Sequence, residues 1–137
     1  MRSSSDTRLR IFGVALVVGS LALAFGIRLF TGTVVESTGL LEQVSGTALY
    51  ASAFYGGVLV LWPGGRPLPV ALLSIAFCWA IEFFQLTGVP ATLSAHSVVA
   101  RLVLGRVFDR SDLAWYVVGV LLAAAIHYLT LCRRTTA

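Results

Sequence analysis

The sequence predicts an all-α integral membrane protein with four transmembrane helices and a short amphipathic or re-entrant helix between the third and the fourth. Two observations support this fold class. Hydrophobic residues make up 58% of the 137 residues and charged residues only 12%, whereas about a quarter of the residues in a typical soluble domain are charged. In addition, four stretches approach the roughly 20 apolar residues that a helix needs to cross a bilayer.

The first predicted span covers residues 9–29. Arg2, Arg8 and Arg10 precede it, and Arg28 lies at its end. The basic flank also fits a cleaved signal peptide, but the apolar stretch is longer than the hydrophobic region of such peptides. We therefore interpret this stretch as an uncleaved span, with the signal peptide as the alternative.

The second and third predicted spans, residues 44–62 and 70–86, are separated by a tight turn. The turn reads PGGRPLP at positions 63–69, and its prolines and glycines cannot continue a helix. Pro69 suits the first turn of the third helix, where the missing backbone N–H has no intrahelical partner to lose. The sequence TGVP at positions 87–90 then ends that helix.

The last span is predicted over residues 113–131, with Ser111 as its N-cap and Asp112 at the positive end of the helix dipole. A segment of about residues 91–108 lies before it. The apolar core of this segment is too short to cross a bilayer and two arginines interrupt it, so an interfacial or re-entrant helix is the better interpretation. No internal repeat is present, and residues 1–137 are predicted to form a single membrane domain.

The arginines that flank the spans predict the orientation of the chain. All ten basic residues are arginine. With the N-terminus in the cytoplasm, six of them lie inside: Arg2, Arg8, Arg10, Arg66, Arg133 and Arg134. The connection before the last span disagrees, because it places three arginines outside: Arg101, Arg106 and Arg110. We keep this orientation because the inside arginines flank three separate points of the chain.

A polar cluster is predicted near the outer end of the third span. Glu82 lies in an apolar run, where a carboxylate needs a partner, a water-filled cavity or a proton. Gln85 follows three positions later, on the same face of the helix. A rise of about 1.5 Å per residue puts Glu82 roughly 6 Å inside the end of the span, within reach of the following connection. The candidate polar site consists of Glu82, Gln85, His96, Arg101, Arg106, Asp112 and Tyr116.

Two interpretations of Glu82 stay open. In the first, Glu82 forms a salt bridge or hydrogen bonds that fix the connecting segment to the bundle, most simply through Arg101. In the second, it lines an outward-facing polar pocket beneath the lipid headgroups, together with Gln85, His96, Arg101 and Asp112. A solvated position in a loop is the simpler interpretation of His96. The arginines of the segment suit either an internal partner or a lipid phosphate, which the planar guanidinium fits well.

Several function classes receive no support from the sequence. It contains no G-x-S-x-G, H-E-x-x-H or C-x-x-C motif and no phosphate-binding glycine loop. Two distant histidines supply too few ligands for a metal, and Cys78 and Cys132 share no motif spacing. We therefore expect no metal and no cofactor. The arginines indicate topology and contact with lipid, and we expect no nucleic-acid partner.

Three motifs in the second half of the chain resemble a known family. They are AIEFFQL at positions 80–86, RLVLGRVF at 101–108 and SDLAWYVVGVL at 111–121. The pattern resembles the bacterial family catalogued as domain of unknown function 2809, in which E-x-x-Q-L, L-G-x-x-F and S-D-L-x-x-Y-x-x-G follow one another, and the resemblance covers about residues 26–122. The matching residues are Glu82, Gln85, Leu86, Leu104, Gly105, Phe108, Ser111, Asp112, Leu113, Tyr116 and Gly119.

The chain departs from the family pattern at two positions. The family usually shows G-D-x-L-W-A before its second helix, whereas this chain has Thr47 in place of the aspartate. Arg28 also lies two positions before the place where the family has a basic residue. If the aspartate belongs to a charged network, the resemblance implies that this network is reduced here.

The resemblance implies a place in the bacterial envelope. The same skeleton is similar to the VanZ-like membrane proteins, which are associated with glycopeptide (teicoplanin) resistance. We expect a multi-pass protein of the bacterial inner membrane with both termini in the cytoplasm, surrounded by the lipid bilayer. Its expected function is non-enzymatic: binding a phospholipid or a lipid-linked precursor through its headgroup, or acting as an accessory protein. The alternatives are an enzyme on lipid-linked substrates with Glu82 as acid or base, and a small subunit of a larger complex or homo-oligomer.

Overall fold

The computed structural model describes residues 2–34, 39–105 and 107–135. These residues form six helices and contain no strand, which confirms the all-α prediction. The helices are α1 (Arg2–Val34), α2 (Leu40–Leu61), α3 (Pro67–Gln85), α4 (Val89–His96), α5 (Val98–Leu104) and α6 (Arg110–Thr135).

Four of the helices, α1, α2, α3 and α6, are long and apolar enough to cross a membrane. Between 11% and 33% of the residues in their apolar windows are buried inside the bundle. Most of their large hydrophobic side chains therefore face outward, which would be costly in water and is expected in lipid. The predicted number of spans is confirmed, and the four long apolar helices fit a membrane protein.

The helices extend beyond the predicted spans at their polar ends. Helix α1 begins at Arg2 and α6 begins at Arg110. The predicted spans covered only the apolar stretches, and a helix can continue beyond such a stretch. The predicted N-cap of the last helix is wrong. Asp109 rather than Ser111 caps the helix, because its carboxylate accepts the Ser111 backbone N–H at 2.8 Å.

The connection between the third and fourth long helices contains two short helices rather than one. Gly88, in the left-handed region with φ 76°, precedes α4, and Ser97 separates α4 from α5. The Ser97 hydroxyl oxygen accepts the Ala100 backbone N–H at 3.2 Å and so caps α5. With eight and seven residues, the helices are about 12 and 11 Å long, too short to cross the hydrocarbon region.

Helix α2 is the centre of the bundle and packs against α1, α3 and α6. Its close approach to α1 depends on glycine, because a Cβ on Gly13 or on Gly56 would lie 2.6 Å from the carbonyl oxygen of the other. Its approach to α6 is closer still at Gly119, where a Cβ would overlap the Ala48 carbonyl oxygen, and the Gly119 carbonyl accepts the Ser52 hydroxyl at 2.9 Å. The buried core lies between α2, α3 and α6 and consists of Ala51, Tyr55, Val58, Leu59, Val70, Ala71, Cys78, Tyr116, Val120 and Ala123.

Candidate functional site

Glu82, in the last turn of α3, is completely buried, and both of its carboxylate oxygens accept protein hydrogen bonds. The Asp109 backbone N–H donates to Oε1 at 2.7 Å, and the Tyr116 hydroxyl donates to Oε2 at 3.0 Å. Glu82 therefore holds the main chain where it enters α6. The first interpretation allowed either a salt bridge or hydrogen bonds; the partners of the carboxylate are a main-chain amide and a phenol, and Arg101 is not among them.

Gln85 holds the other end of the same connection. Its Nε2 donates to the Leu104 carbonyl at 2.7 Å, at the end of α5. Gly105 follows with φ 68°, and a Cβ at this position would lie 2.6 Å from the Gln85 Nε2. Glycine is therefore needed both for the left-handed backbone and for the space that the amide occupies. The E-x-x-Q pair thus fastens both ends of the loop between α5 and α6 to α3.

Main-chain carbonyl groups of the connecting segment receive several other side-chain donors. The buried Ser94 hydroxyl donates to the Gly105 carbonyl at 2.7 Å, and the Tyr50 hydroxyl of α2 donates to the Val103 carbonyl at 2.8 Å. The Arg101 guanidinium donates to the Ser94 carbonyl through Nη2 at 3.2 Å and Nε at 3.4 Å, while its side chain is largely exposed. Arg101 is thus loosely held and its charge is not paired with Glu82.

A second group of polar side chains joins the start of α2 to the start of α6. The Gln43 amide donates to Asp109 Oδ2 at 2.6 Å, and the Ser111 hydroxyl donates to Oδ1 at 2.8 Å. The Ser111 backbone N–H, the Ser111 hydroxyl and the Gln43 amide lower the pKa of Asp109, because each stabilises the charged carboxylate. Asp109 therefore accepts donors from two helices as an ionised group.

Thr47, the position where the resemblance leads one to expect an aspartate, lies beside Asp112. Its hydroxyl oxygen is 3.1 Å from Asp112 Oδ1 and 2.9 Å from the Gln43 carbonyl oxygen, so its proton can serve either acceptor. An aspartate at this position would place a second carboxylate next to Asp112, whereas threonine supplies a neutral donor. The substitution therefore fits a local network in which Asp112 receives a hydroxyl.

A cavity of about 620 Å³ lies between α1, the start of α2, the end of α3 and the segment around α5. Three of the predicted site residues, Gln85, Arg101 and Tyr116, line it. Most of the remaining lining is apolar and includes Leu21 and Phe25 of α1. The other polar residues of the lining are Ser20, Arg28, Glu42, Gln43, Thr47 and Tyr50.

The structure divides the predicted site residues into two groups. Glu82 and Asp112 belong to the hydrogen-bond network and do not line the cavity. Gln85 and Arg101 line the cavity. Tyr116 lines the cavity and also donates to Glu82. His96 is exposed at the end of α4 and does not line the cavity. Arg106 lies outside the described residues.

Sequence reasoning missed several residues that build this end of the molecule. Asp109 could have been recognised, because an acidic residue two positions before Ser111 is a common capping pattern. Ser94 and Gln43 gave no such signal, because their partners are 11 and 66 positions away in the chain. Arg28 was placed at the end of the first span and Glu42 was not singled out; the packing of α1 against α2 brings both to one cavity.

A second buried polar group lies towards the opposite ends of the long helices. The Tyr55 hydroxyl and His127 Nδ1 are 2.8 Å apart, and both residues are completely buried. The edge of the Tyr55 ring also meets the imidazole, with the ring centroids 5.9 Å apart. This pair connects α2 to α6 within the core.

Comparison with known proteins gives one family match. The model of a family described as "Protein of unknown function (DUF2809)" matches residues 36–120. No solved structure matches the chain. The matched range includes the α2–α5 region and the start of α6, and so it contains both Glu82 and Gln85 and their main-chain partners. The wall of the cavity that α1 provides lies outside this range.

Proposed function

The chain belongs to the DUF2809 family of proteins of unknown function, and we propose that it is a non-enzymatic membrane protein that binds a phospholipid or a lipid-linked precursor through its headgroup. The observation that carries this proposal is the 620 Å³ cavity, whose mostly apolar lining includes Arg28 and Arg101. Arginine forms charge-assisted, often bidentate hydrogen bonds with phosphate oxygens. We place the protein in a bacterial inner membrane with both termini in the cytoplasm, so that the cavity lies in the outer leaflet.

The size and lining of the cavity support a lipid ligand. Pockets for small ligands are usually about 300–1,000 Å³ and mostly apolar, with a few polar groups that orient the ligand. Leu21, Ala24 and Phe25 of α1 give this cavity one apolar wall. That wall can accommodate the glycerol backbone and the upper part of an acyl chain, while the arginines contact the phosphate.

The exposed apolar surface of α5 supports a position of the cavity near the lipid headgroups. Val98, Val99 and Leu102 are each about two-thirds exposed, at 66%, 69% and 65%. A short helix with exposed apolar residues and one arginine is suited to lie at the boundary between headgroups and acyl chains. Helix α5 would then hold the mouth of the cavity at the depth where lipid headgroups are found.

The burial of Glu82 favours binding over catalysis. A general acid or base must come within hydrogen-bonding distance of the reacting group, directly or through one water. Glu82 has 0% exposure, both oxygens accept protein donors, and it does not line the cavity. We therefore propose a structural role for Glu82 and assign ligand contact to the arginines.

Native mass spectrometry of the purified protein tests the proposal. After exchange into a detergent that removes annular lipid, the wild-type protein is expected to keep one phospholipid per chain. Arg101→Ala is expected to lose about tenfold in lipid affinity, as is typical for removal of one charge-assisted hydrogen bond from an arginine. Arg10→Ala, an exposed arginine of α1 outside the cavity lining, is the matched control.

Two results would contradict the proposal. One is a wild-type protein that retains no lipid when its secondary structure and melting temperature are intact. The other is an Arg101→Ala protein that retains lipid as well as the Arg10→Ala control does.

A further inference from the structure

The lining of the cavity runs from a buried floor to an exposed rim. Ile81 and Gln85 of α3 and Tyr116 of α6 belong to the lining and are buried. Two apolar residues of α1 line the same cavity but are mostly exposed, Leu21 at 58% and Phe25 at 65%. The cavity therefore opens on the side of α1, away from the core of the bundle.

Helix α5 forms the facing part of this rim. Leu102 and Val103 line the cavity and are 65% and 48% exposed, and no residue of α5 is buried. Among the described residues, the close packing of α1 is with α2, whereas α5 packs mainly against α4. Helices α1 and α5 thus border the cavity without the close packing that joins α1 to α2.

The rim between α1 and α5 has the chemistry of a surface that faces lipid. Leu21 and Phe25 lie within the apolar stretch of α1, Ser4–Phe30, which is long enough to cross a membrane. Exposed apolar residues on both sides of an opening suit an acyl chain, whereas a passage to water would favour polar sides. Gln43 and Thr47, at the start of α2, line a more polar part of the cavity.

We infer that a lipid enters this cavity sideways from the bilayer, through a portal between α1 and α5 bordered by Leu21, Phe25, Leu102 and Val103. The phosphate contacts Arg101 inside the cavity, and an acyl chain passes through the portal and stays largely in the bilayer. This inference rests on the proposed lipid binding and adds the route of entry and the position of the chain.

The size of the cavity supports this arrangement. At 620 Å³, it has the volume of a pocket for a drug-sized molecule, and a phospholipid with two full acyl chains is larger. A lipid that moves through the portal also keeps its methylene groups out of water, where each of them would be unfavourable.

Photolabelling in a bilayer tests where the acyl chain lies. The full-length protein is placed in phosphatidylcholine nanodiscs with a phosphatidic acid that carries a diazirine on one acyl chain, close to the glycerol. Mass spectrometry of peptides is expected to find Phe25 and Leu102 among the labelled residues. Replacing part of the phosphatidylcholine with unlabelled phosphatidic acid should abolish their labelling. Leu23 is the control, because it is mostly exposed on α1 but does not line the cavity, and its labelling should not change.

A covalent link across the portal tests the route. Phe25→Cys and Leu102→Cys are combined with Cys132→Ser, which removes the exposed native cysteine and leaves the buried Cys78, and are joined by a flexible bismaleimide. Linking after loading should slow the release of phosphatidic acid to vesicles about tenfold, and linking before loading should slow its uptake to a similar extent. The same reagent on Leu23→Cys should change neither rate. A link that leaves both rates unchanged would mean that the ligand moves by another route and would overturn the inference.

The outcomes separate the route from lipid binding itself. If phosphatidic acid is retained and Arg101→Ala weakens its binding, but Phe25 and Leu102 are labelled no more saturably than Leu23, the portal is wrong and the proposed function stands. If soluble glycerol 3-phosphate competes as strongly as phosphatidic acid, the phosphate site is right and both the portal and a membrane lipid as the ligand are wrong. If the folded wild-type protein binds neither compound, both proposals are wrong.

Discussion

The buried polar residues at the α5–α6 connection and those in the core between α2 and α6 find their hydrogen-bond partners in different ways. At the α5–α6 connection, Glu82 and Gln85 bind main-chain groups of Asp109 and Leu104. In the core between α2 and α6, Tyr55 and His127 bind each other's side chains. The first group borders a cavity, whereas neither member of the second group lines it.

This difference follows from the polar groups that each region must pair in an environment of low dielectric constant. A loop between two helices has N–H and C=O groups without helical partners, and each must find one when water is scarce. The E-x-x-Q pair supplies an acceptor and a donor of the required kind at the two ends of the loop. The Tyr55–His127 pair ties α2 to α6, and the Tyr55 hydroxyl also lies 3.5 Å from the Pro67 carbonyl oxygen at the start of α3. Burial of an ionisable residue is therefore a poor guide to function here, and its position relative to the cavity is more informative.

The largest effect is expected from Glu82→Ala. This change leaves the Asp109 N–H and the Tyr116 hydroxyl without their acceptor in a buried place, and we expect it to destabilise the protein by about 3 kcal/mol. Thermal unfolding in detergent, followed by circular dichroism, measures the change. Asp6→Ala removes a carboxylate from α1 far from the loop and should have little effect; equal melting temperatures for the two variants would show that Glu82 does not hold the loop.

Gly105→Ala should be the next most disruptive change. It imposes a positive φ of 68° on alanine and puts a Cβ against the Gln85 amide, for an expected loss of about 2 kcal/mol. Gly88→Ala is a matched control, because Gly88 also has a positive φ but its Cβ would meet nothing within 4 Å. The same unfolding measurement should give the smaller loss for Gly88→Ala. The reverse order would mean that contact with Gln85 is unimportant.

Tyr55→Phe tests the other side of the comparison. It removes the hydroxyl that meets His127 and should destabilise the protein by about 1 kcal/mol. The retained lipid, measured by native mass spectrometry at a temperature where the variant is folded, should be unchanged. Loss of lipid from the folded variant would show that the two polar regions are coupled, contrary to the separation described above.

The smallest expected effect is the contribution of Asp109 to the pH dependence of stability. Its pKa is lowered in the folded protein, so its stabilising effect is present above the unfolded value of about 3.9 and is lost as the pH falls through the lower folded value. The wild-type protein should thus lose stability on acidification below about pH 4, and Asp109→Asn should lose less. Melting temperatures from pH 7 down to pH 3 measure this, and because Asp109 is partly exposed, added salt should reduce the difference. Parallel curves for the two proteins would rule out a contribution from Asp109.

The boundaries of the helices show how far the fold could be predicted. The four long helices could be predicted from the length of the apolar stretches. The turn between α2 and α3 could be predicted from its prolines and glycines; it begins at Pro63 and ends before Pro67. The division of the next connection into α4 and α5 at Ser97 was not predicted. A single extended residue in a mixed polar and apolar segment has no distinctive sequence signal.

That Glu82 and Gln85 share a helix face follows from their spacing within an apolar run. That their partners are the Asp109 N–H and the Leu104 carbonyl became evident from the folded structure alone. Every residue except proline has a backbone N–H and every residue has a carbonyl, so a main-chain partner leaves no mark in the sequence, whereas a charged partner such as Arg101 is conspicuous. The cavity is likewise a product of packing, because α1, α2, α3 and α5 each contribute only one wall.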